Sequence, residues 1–189
     1  MTSVLSPPAA VMSPLEEANV RQFKLPLSIT VNDLESLPDD FRYELHEGGL
    51  YITSPAVAWH TDVSRRIANA LEAAGMAAFL DMGVESSDID LRVPDACAVR
   101  TKPRPGQSRM PPSEFLIAVE VVSKSSQIQD RIVKPLHYGD IGIPEYWRVE
   151  EDPDTEWDAL IYQYKLSAEG KYAESRVVKL SELESERSA

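Results

Sequence analysis

Cysteine is almost absent: Cys97 stands alone among 189 residues. No intrachain disulfide can form, and a reducing, cytoplasmic setting is expected. Long apolar runs are missing too. The longest, such as 73–80 and 115–119, fall far short of the ~20 residues a membrane-spanning helix requires, so no membrane partner is expected. The opening MTSVLSPPAAVMSP lacks the basic start and apolar core of a secretory signal and reads as a disordered lead-in. Positive charge is scarce, with 19 Lys and Arg against 31 Asp and Glu and a net charge of −12. That balance argues against a nucleic-acid surface spread over the whole molecule. There is no Gly-x-Ser-x-Gly elbow and no credible nucleophile–histidine pairing, which disfavours a serine-type hydrolase.

What is present suits a folded domain. Hydrophobic content of 43% can fill a core, and 26% charged residues is ordinary. The expected organisation is a flexible tail over 1–26, one domain over 27–182 and a short tail over 183–189. Charge is uneven within it. From Glu150 to Ala189 acids exceed bases by eleven to five, whereas from Arg100 to Lys134 seven bases face three acids. A local basic patch on an acidic body is one reading; scattered solvated side chains is the other.

Periodicity predicts the elements. Ser13-Pro14 could open a short helix in the tail, and TVNDLESL starts a helical turn at Thr30, with Asp33 favouring its first residues. Segments 41–47 and 50–54 flank Gly48-Gly49 as a hairpin. Over 57–76, Val63, Ile67, Ala70, Leu71 and Ala74 fall at three- and four-residue steps, which predicts a helix. Strands are expected at 79–84, 88–92, 95–99, 115–122, 145–149, 157–166 and 172–178. The stretch TKPRPGQSRMPP is too proline-rich for either regular state. A helix is expected over 125–138, although Pro135 must remove one backbone bond and crowd the carbonyl of Arg131. Together these give a fold of the α/β (α+β) class: a mixed β-sheet flanked by helices.

The strand IAVEVV carries an anomaly. Glu120 interrupts Ile117, Ala118, Val119, Val121 and Val122, and a carboxylate buried there is costly unless paired or bound to metal. Glu44 in RYEL and Asp95 in VPDACAV also sit on or beside predicted strands. Carboxylates gathered by neighbouring strands repel one another unless a cation lies between them. Such hard oxygen donors suit Mg2+, with Mn2+ as substitute, and a divalent ion of this kind serves phosphodiester hydrolysis. In one well-known arrangement Pro-Asp lies on one strand and Glu-x-Lys on the next. Here Glu-x-Lys occurs once, as Glu169-Gly170-Lys171 in an evident turn, and Val122 stands where the lysine would follow Glu120. Lys124 lies about 13 Å further along the strand direction. Lys134, on the following helix, could instead bring its amine back to Glu120.

At these residues the chain resembles a family. RYELHEGGLYITSPAVAWH, VPDACAV, AVEVVSKSS, DRIVKPLHY and GIPEYWRVE occur in the order found in the Uma-type restriction endonuclease family of bacteria, within the PD-(D/E)xK nuclease-like fold. The resemblance covers about residues 28–180. It implies a restriction-endonuclease-like core and a site built from Glu44, Asp95, Glu120 and Lys134, with His60 at a position where the family has histidine. Cys97, and Lys124 where proline is common, depart from the pattern without removing a ligand. In this reading Asp95, Glu120, Glu44 and the Val121 carbonyl hold the ion. Lys134 positions the attacking water, the basic loop 102–109 follows DNA phosphates, and a homodimer supplies one site per strand. Each role has a plainer counterpart: solvated acids at the sheet edge, Glu44 paired with Arg42 or Arg65, Lys134 paired with Asp130, and His60 as a hydrogen-bonding residue. Trp157, Tyr162 and Tyr164 either stack bases or cover the sheet or a dimer interface. A non-catalytic binding or assembly module on the same fold is the rival reading.

Overall fold

The strands divide between two sheets, where a single mixed sheet is the expectation. In the computed structural model, which describes residues 29–38, 41–53 and 56–187, the elements are β1 (Arg42–His46), β2 (Gly49–Thr53), α1 (Ala58–Ala73), β3 (Ala77–Leu80), β4 (Gly83–Ser87), β5 (Asp90–Arg92), β6 (Ala96–Val99), β7 (Arg109–Met110), β8 (Phe115–Val121), α2 (Lys134–Asp140), β9 (Glu145–Glu151), β10 (Ala159–Leu166), β11 (Tyr172–Lys179) and α3 (Leu180–Arg187). The larger sheet runs β11-β10-β9-β8-β6-β3 and the smaller β2-β1-β5-β4-β7. Among the described residues, only β8–β9 and β4–β7 are parallel pairs. The architecture is α+β, mixed sheets flanked by helices. The tail over 1–26, with the helix after Ser13-Pro14, lies outside the described residues.

Local chemistry explains the differences from expectation. The hairpin turns at Glu47-Gly48, one residue earlier than Gly48-Gly49, because His46 pairs with Gly49. Both turn residues have positive φ, 49° and 84°, the combination a tight two-residue turn demands. The strand expected over 79–84 breaks at Asp81, whose φ is +53°, and its two halves enter different sheets. Within the proline-rich loop, Arg109 and Met110 pair with Gly83 and Val84. At Thr30 the expected turn forms as a 3-10 helix, Val31–Ser36, where the Thr30 N–H donates to Asp33 Oδ2 at 2.8 Å.

Residues 183–187, expected within a C-terminal tail, are instead the end of α3. Leu180 and Leu183 are buried against α1 and the larger sheet, alongside Val63, Ile67, Leu71, Val119 and Val121. The other face of that sheet holds a second core of Cys97, Phe115, Ala118, Tyr138, Ile143 and Tyr146. A strand alternates its faces. Glu120 therefore shares the side of Ala118 and points toward α2, away from α1.

The helix expected over 125–138 forms over 127–140, its backbone helical throughout. Gln129–Val133 wind as a π turn, the Lys134 N–H donating to the Gln129 carbonyl, and α2 continues from Lys134. The wider turn lies just before Pro135, whose missing N–H and ring a regular α-helical turn would have to absorb. The π turn and α2 together form the crossover that joins the parallel strands β8 and β9.

Candidate active site

The larger and smaller sheets are linked by Val93, Pro94 and Asp95, which carry the chain from β5 to β6. The candidate site lies at this link. Asp95 precedes Ala96, which pairs with Val119. The next cross-strand position is Glu120, so the two acids share one face of the sheet. From the smaller sheet β1 contributes Glu44, whose Oε1 accepts the Val93 N–H at 3.0 Å. The π turn and α2 contribute Asp130 and Lys134 from above, and the first turn of α1 contributes His60.

These groups meet. Lys134 Nζ lies 2.8 Å from Glu120 Oε2, 3.2 Å from Glu44 Oε1 and 3.7 Å from Asp130 Oδ1. The amine therefore makes both contacts weighed for it, with Glu120 the nearer. Tyr138 donates its hydroxyl to Glu120 Oε1 at 2.7 Å. Asp95 Oδ2 accepts the Val121 N–H at 2.7 Å and lies 3.2 Å from His60 Nε2. Asp95 Oδ1 is held by Arg42 at 2.8 Å. Glu44 Oε2 lies 2.7 Å from His46 Nε2. Arg42 thus reaches Asp95, not Glu44, while Arg65 pairs with Asp62 at 2.5 Å.

Burial makes the charge balance consequential. Glu120 is 1% exposed, and Glu44, Asp95, Asp130 and Lys134 are also buried. Four carboxylates face two permanent cations, Lys134 and Arg42; the remaining balance falls to His60, protons or a bound cation. Desolvation pushes Glu120 well above the usual carboxylate range, against the pull of Lys134, and its acidic neighbours add to the rise. Burial likewise raises Asp130, to about 6, despite Lys134. Glu44 goes the other way. Burial would raise it, yet Lys134, His46 and the Val93 N–H hold it at about 2. Asp95 falls below its ordinary value, because His60 and Arg42 outweigh its burial. Lys134 is held charged above its ordinary value, burial notwithstanding, by Glu120, Glu44 and Asp130. His60 is raised by Asp95 against the opposing effect of burial.

The cluster fits a divalent cation in donor type and in sign of charge: hard oxygens in excess over fixed positive groups. Among the described residues, no three acid, histidine or cysteine side chains already surround a common point. Lys134 and Arg42 lie between the carboxylates instead, and Val121 meets Asp95 through its N–H.

The sequence contains a signal for the partners left unassigned. Arg42, Glu44 and His46 alternate along β1 and so share one face. Asp130, Lys134 and Tyr138 recur at four-residue spacing. His137 Nε2 lies 3.0 Å from Asp90 Oδ1, which brings α2 beside β5. The expected basic loop is partly spent internally: Arg109 bonds Glu85, Glu35 and Asn32, leaving Lys102 and Arg104 exposed. Tyr162 and Tyr164 lie beneath Arg148, its guanidinium carbon 4.6 and 5.6 Å from their ring centres, whereas Trp157 is exposed in the turn before β10.

A family model, Uma2, described as "Putative restriction endonuclease", matches residues 31–188. No curated protein matches the chain. Among solved structures, it is similar to a putative nuclease belonging to DUF820 from Anabaena variabilis ATCC 29413, with 16% identity and a TM-score of 0.55, over 80% of this chain and 83% of that one. At that identity the likeness speaks to the fold, which is nuclease-like.

Proposed function

Because the chain belongs to the Uma2 family, described as putative restriction endonucleases, we propose that it is a divalent-cation-dependent endonuclease hydrolysing DNA phosphodiester bonds. One observation carries this reading: Lys134 lies against Glu120 and Glu44, and Asp95 is buried at the neighbouring cross-strand position, so residues scattered over ninety positions form one buried cluster in which carboxylates outnumber the fixed cations.

Asp95 and Glu120, with the Val121 carbonyl, would hold Mg2+ or Mn2+. Glu44 would stand beside them, its oxygens committed to Lys134, the Val93 N–H and His46. A bound ion of this class supplies Lewis-acid stabilisation of phosphate charge and a more acidic water. Lys134, kept protonated by its acidic neighbours, would orient the attacking water and steady charge on the phosphate. Tyr138 fixes the Glu120 rotamer, and His60 fixes Asp95. Lys102 and Arg104 are the loop residues placed to contact the DNA backbone. Two copies of the chain would present one site to each strand. No helix among the described residues is long and apolar enough to cross a membrane.

The test is Mg2+- or Mn2+-dependent cleavage of plasmid and single-stranded DNA. Asp95→Asn and Glu120→Gln should each reduce the rate by about a hundredfold or more, in line with losing a charge-stabilising group in a desolvated site. Cleavage that survives both substitutions would reject the assignment. A second reading, an inactive binding or assembly module, is favoured by the net charge of −12 and by the internal donors already on these carboxylates. It predicts no cleavage and no site-linked metal binding.

A further inference from the structure

Arg42 differs from the other cations of the cluster in where it reaches. Its Nη1 is shared between buried Asp95 Oδ1, at 2.8 Å, and Asp81 Oδ1, at 3.0 Å, on the turn between β3 and β4. The Asp81 side chain is 63% exposed, and that of Arg42 is 28% exposed, against 9% for Lys134. Arg42 therefore spans from the interior of the site to its mouth. Its Nη2 donates to the Val93 carbonyl, while its Nε is buried with no hydrogen-bond partner. The fork has an unspent donor.

The position on Asp95 matters as much. Oδ2 is engaged by the Val121 N–H and His60, so Oδ1 is the oxygen to which a cation has the easier approach. Arg42 occupies that oxygen. A guanidinium and a divalent ion competing for one carboxylate oxygen cannot both hold it at full strength. A guanidinium released at the mouth, with its planar fork intact, matches the geometry of a phosphate.

Resting on the metal-dependent reading above, we propose that Arg42 is an exchangeable phosphate-binding residue: it neutralises Asp95 before a cation is taken up, then leaves Oδ1 and binds a backbone phosphate of the nucleic acid. Metal uptake and substrate binding are thereby linked through one side chain. Arg42 lowers the protein's affinity for the metal alone and raises its affinity for DNA once the metal is present.

The prediction has opposite signs in two binding measurements, neither needing turnover. Mn2+ binding to the full chain is followed by calorimetry without DNA, and duplex binding by fluorescence anisotropy in Ca2+. Arg42→Met should bind Mn2+ about tenfold more tightly and DNA about tenfold more weakly, the size of one charge-assisted contact. Arg42→Lys, which keeps the charge and protects the fold, should leave Mn2+ affinity near that of the wild type while DNA binding still weakens, because the fork is gone. Mn2+ binding that is unchanged or weaker in a folded Arg42→Met protein would overturn the exchange, leaving Arg42 as a fixed partner of Asp95. Unchanged DNA affinity in both variants would overturn the phosphate role. Wild-type protein that binds no Mn2+ at all would instead bring down the metal-dependent reading, and this proposal with it.

Discussion

A buried carboxylate among valines has to be reconciled with the cost of desolvation, and Glu120 is reconciled by two donors on α2, Lys134 and Tyr138. The arrangement leaves its neighbours under strain of charge, and Asp130 shows this most accessibly. Burial, opposed by Lys134, raises its pKa from 3.8 to about 6. A carboxyl raised on folding binds its proton more tightly in the native state, so its ionisation destabilises the fold. The penalty is absent near pH 4 and grows until pH passes about 6. Asp130→Asn removes that titration. The stability of the variant minus that of the wild type should rise between pH 4 and pH 7, by on the order of 2–3 kcal/mol. Thermal unfolding of both proteins across this range without metal is the check. Parallel curves would mean that Asp130 titrates normally.

At the scale of elements, α2 and the π turn before it are built inside out. Asp130, Lys134 and Tyr138 face the interior, while Ile128, Ile132 and Leu136, at the same four-residue spacing, are exposed. Hydrophobic periodicity alone would turn the wrong side inward, which is why Lys134 was legible from the demand of Glu120 for a partner and not from the helix pattern. The helix α1 and the principal strands of the larger sheet follow their apolar spacing closely, and so does the placing of Asp95, just before β6, beside Glu120 on the neighbouring β8. Less of the smaller sheet was legible. Its strands are short, and the break at Asp81 depends on a backbone conformation that aspartate adopts but does not advertise. Arg42 was weighed only as a partner of Glu44, and His46 went unassigned, because alternation along β1 shows a shared face without showing what that face meets. The helix α3 was missed for a related reason: LSELESER offers only Leu180 and Leu183 to the core. Those two leucines nevertheless close the α1 face of the larger sheet. Leu183→Ala should cost about 2–5 kcal/mol, measured by urea denaturation; a change below about 0.5 kcal/mol, typical of surface positions, would mean that α3 is not docked.

Across the whole molecule, charge is sorted by burial. Much of the net −12 lies in the exposed strands and helix after Glu150, and many bases outside the site are paired: Arg66 with Glu184, Arg109 with Glu85 and Glu35, Arg131 with Glu150. The two sheets meet where the chain crosses between them, and there the acids are buried without enough fixed positive charge to balance them. On the proposed reading, a divalent cation is the partner of this cluster. Calorimetric titration of Mn2+ into the wild-type protein and Glu120→Gln tests this most directly. The account predicts saturable binding to the wild type that is lost or sharply weakened in Glu120→Gln while the variant stays folded. Absence of binding to the wild type, or equal binding to both proteins, would contradict it.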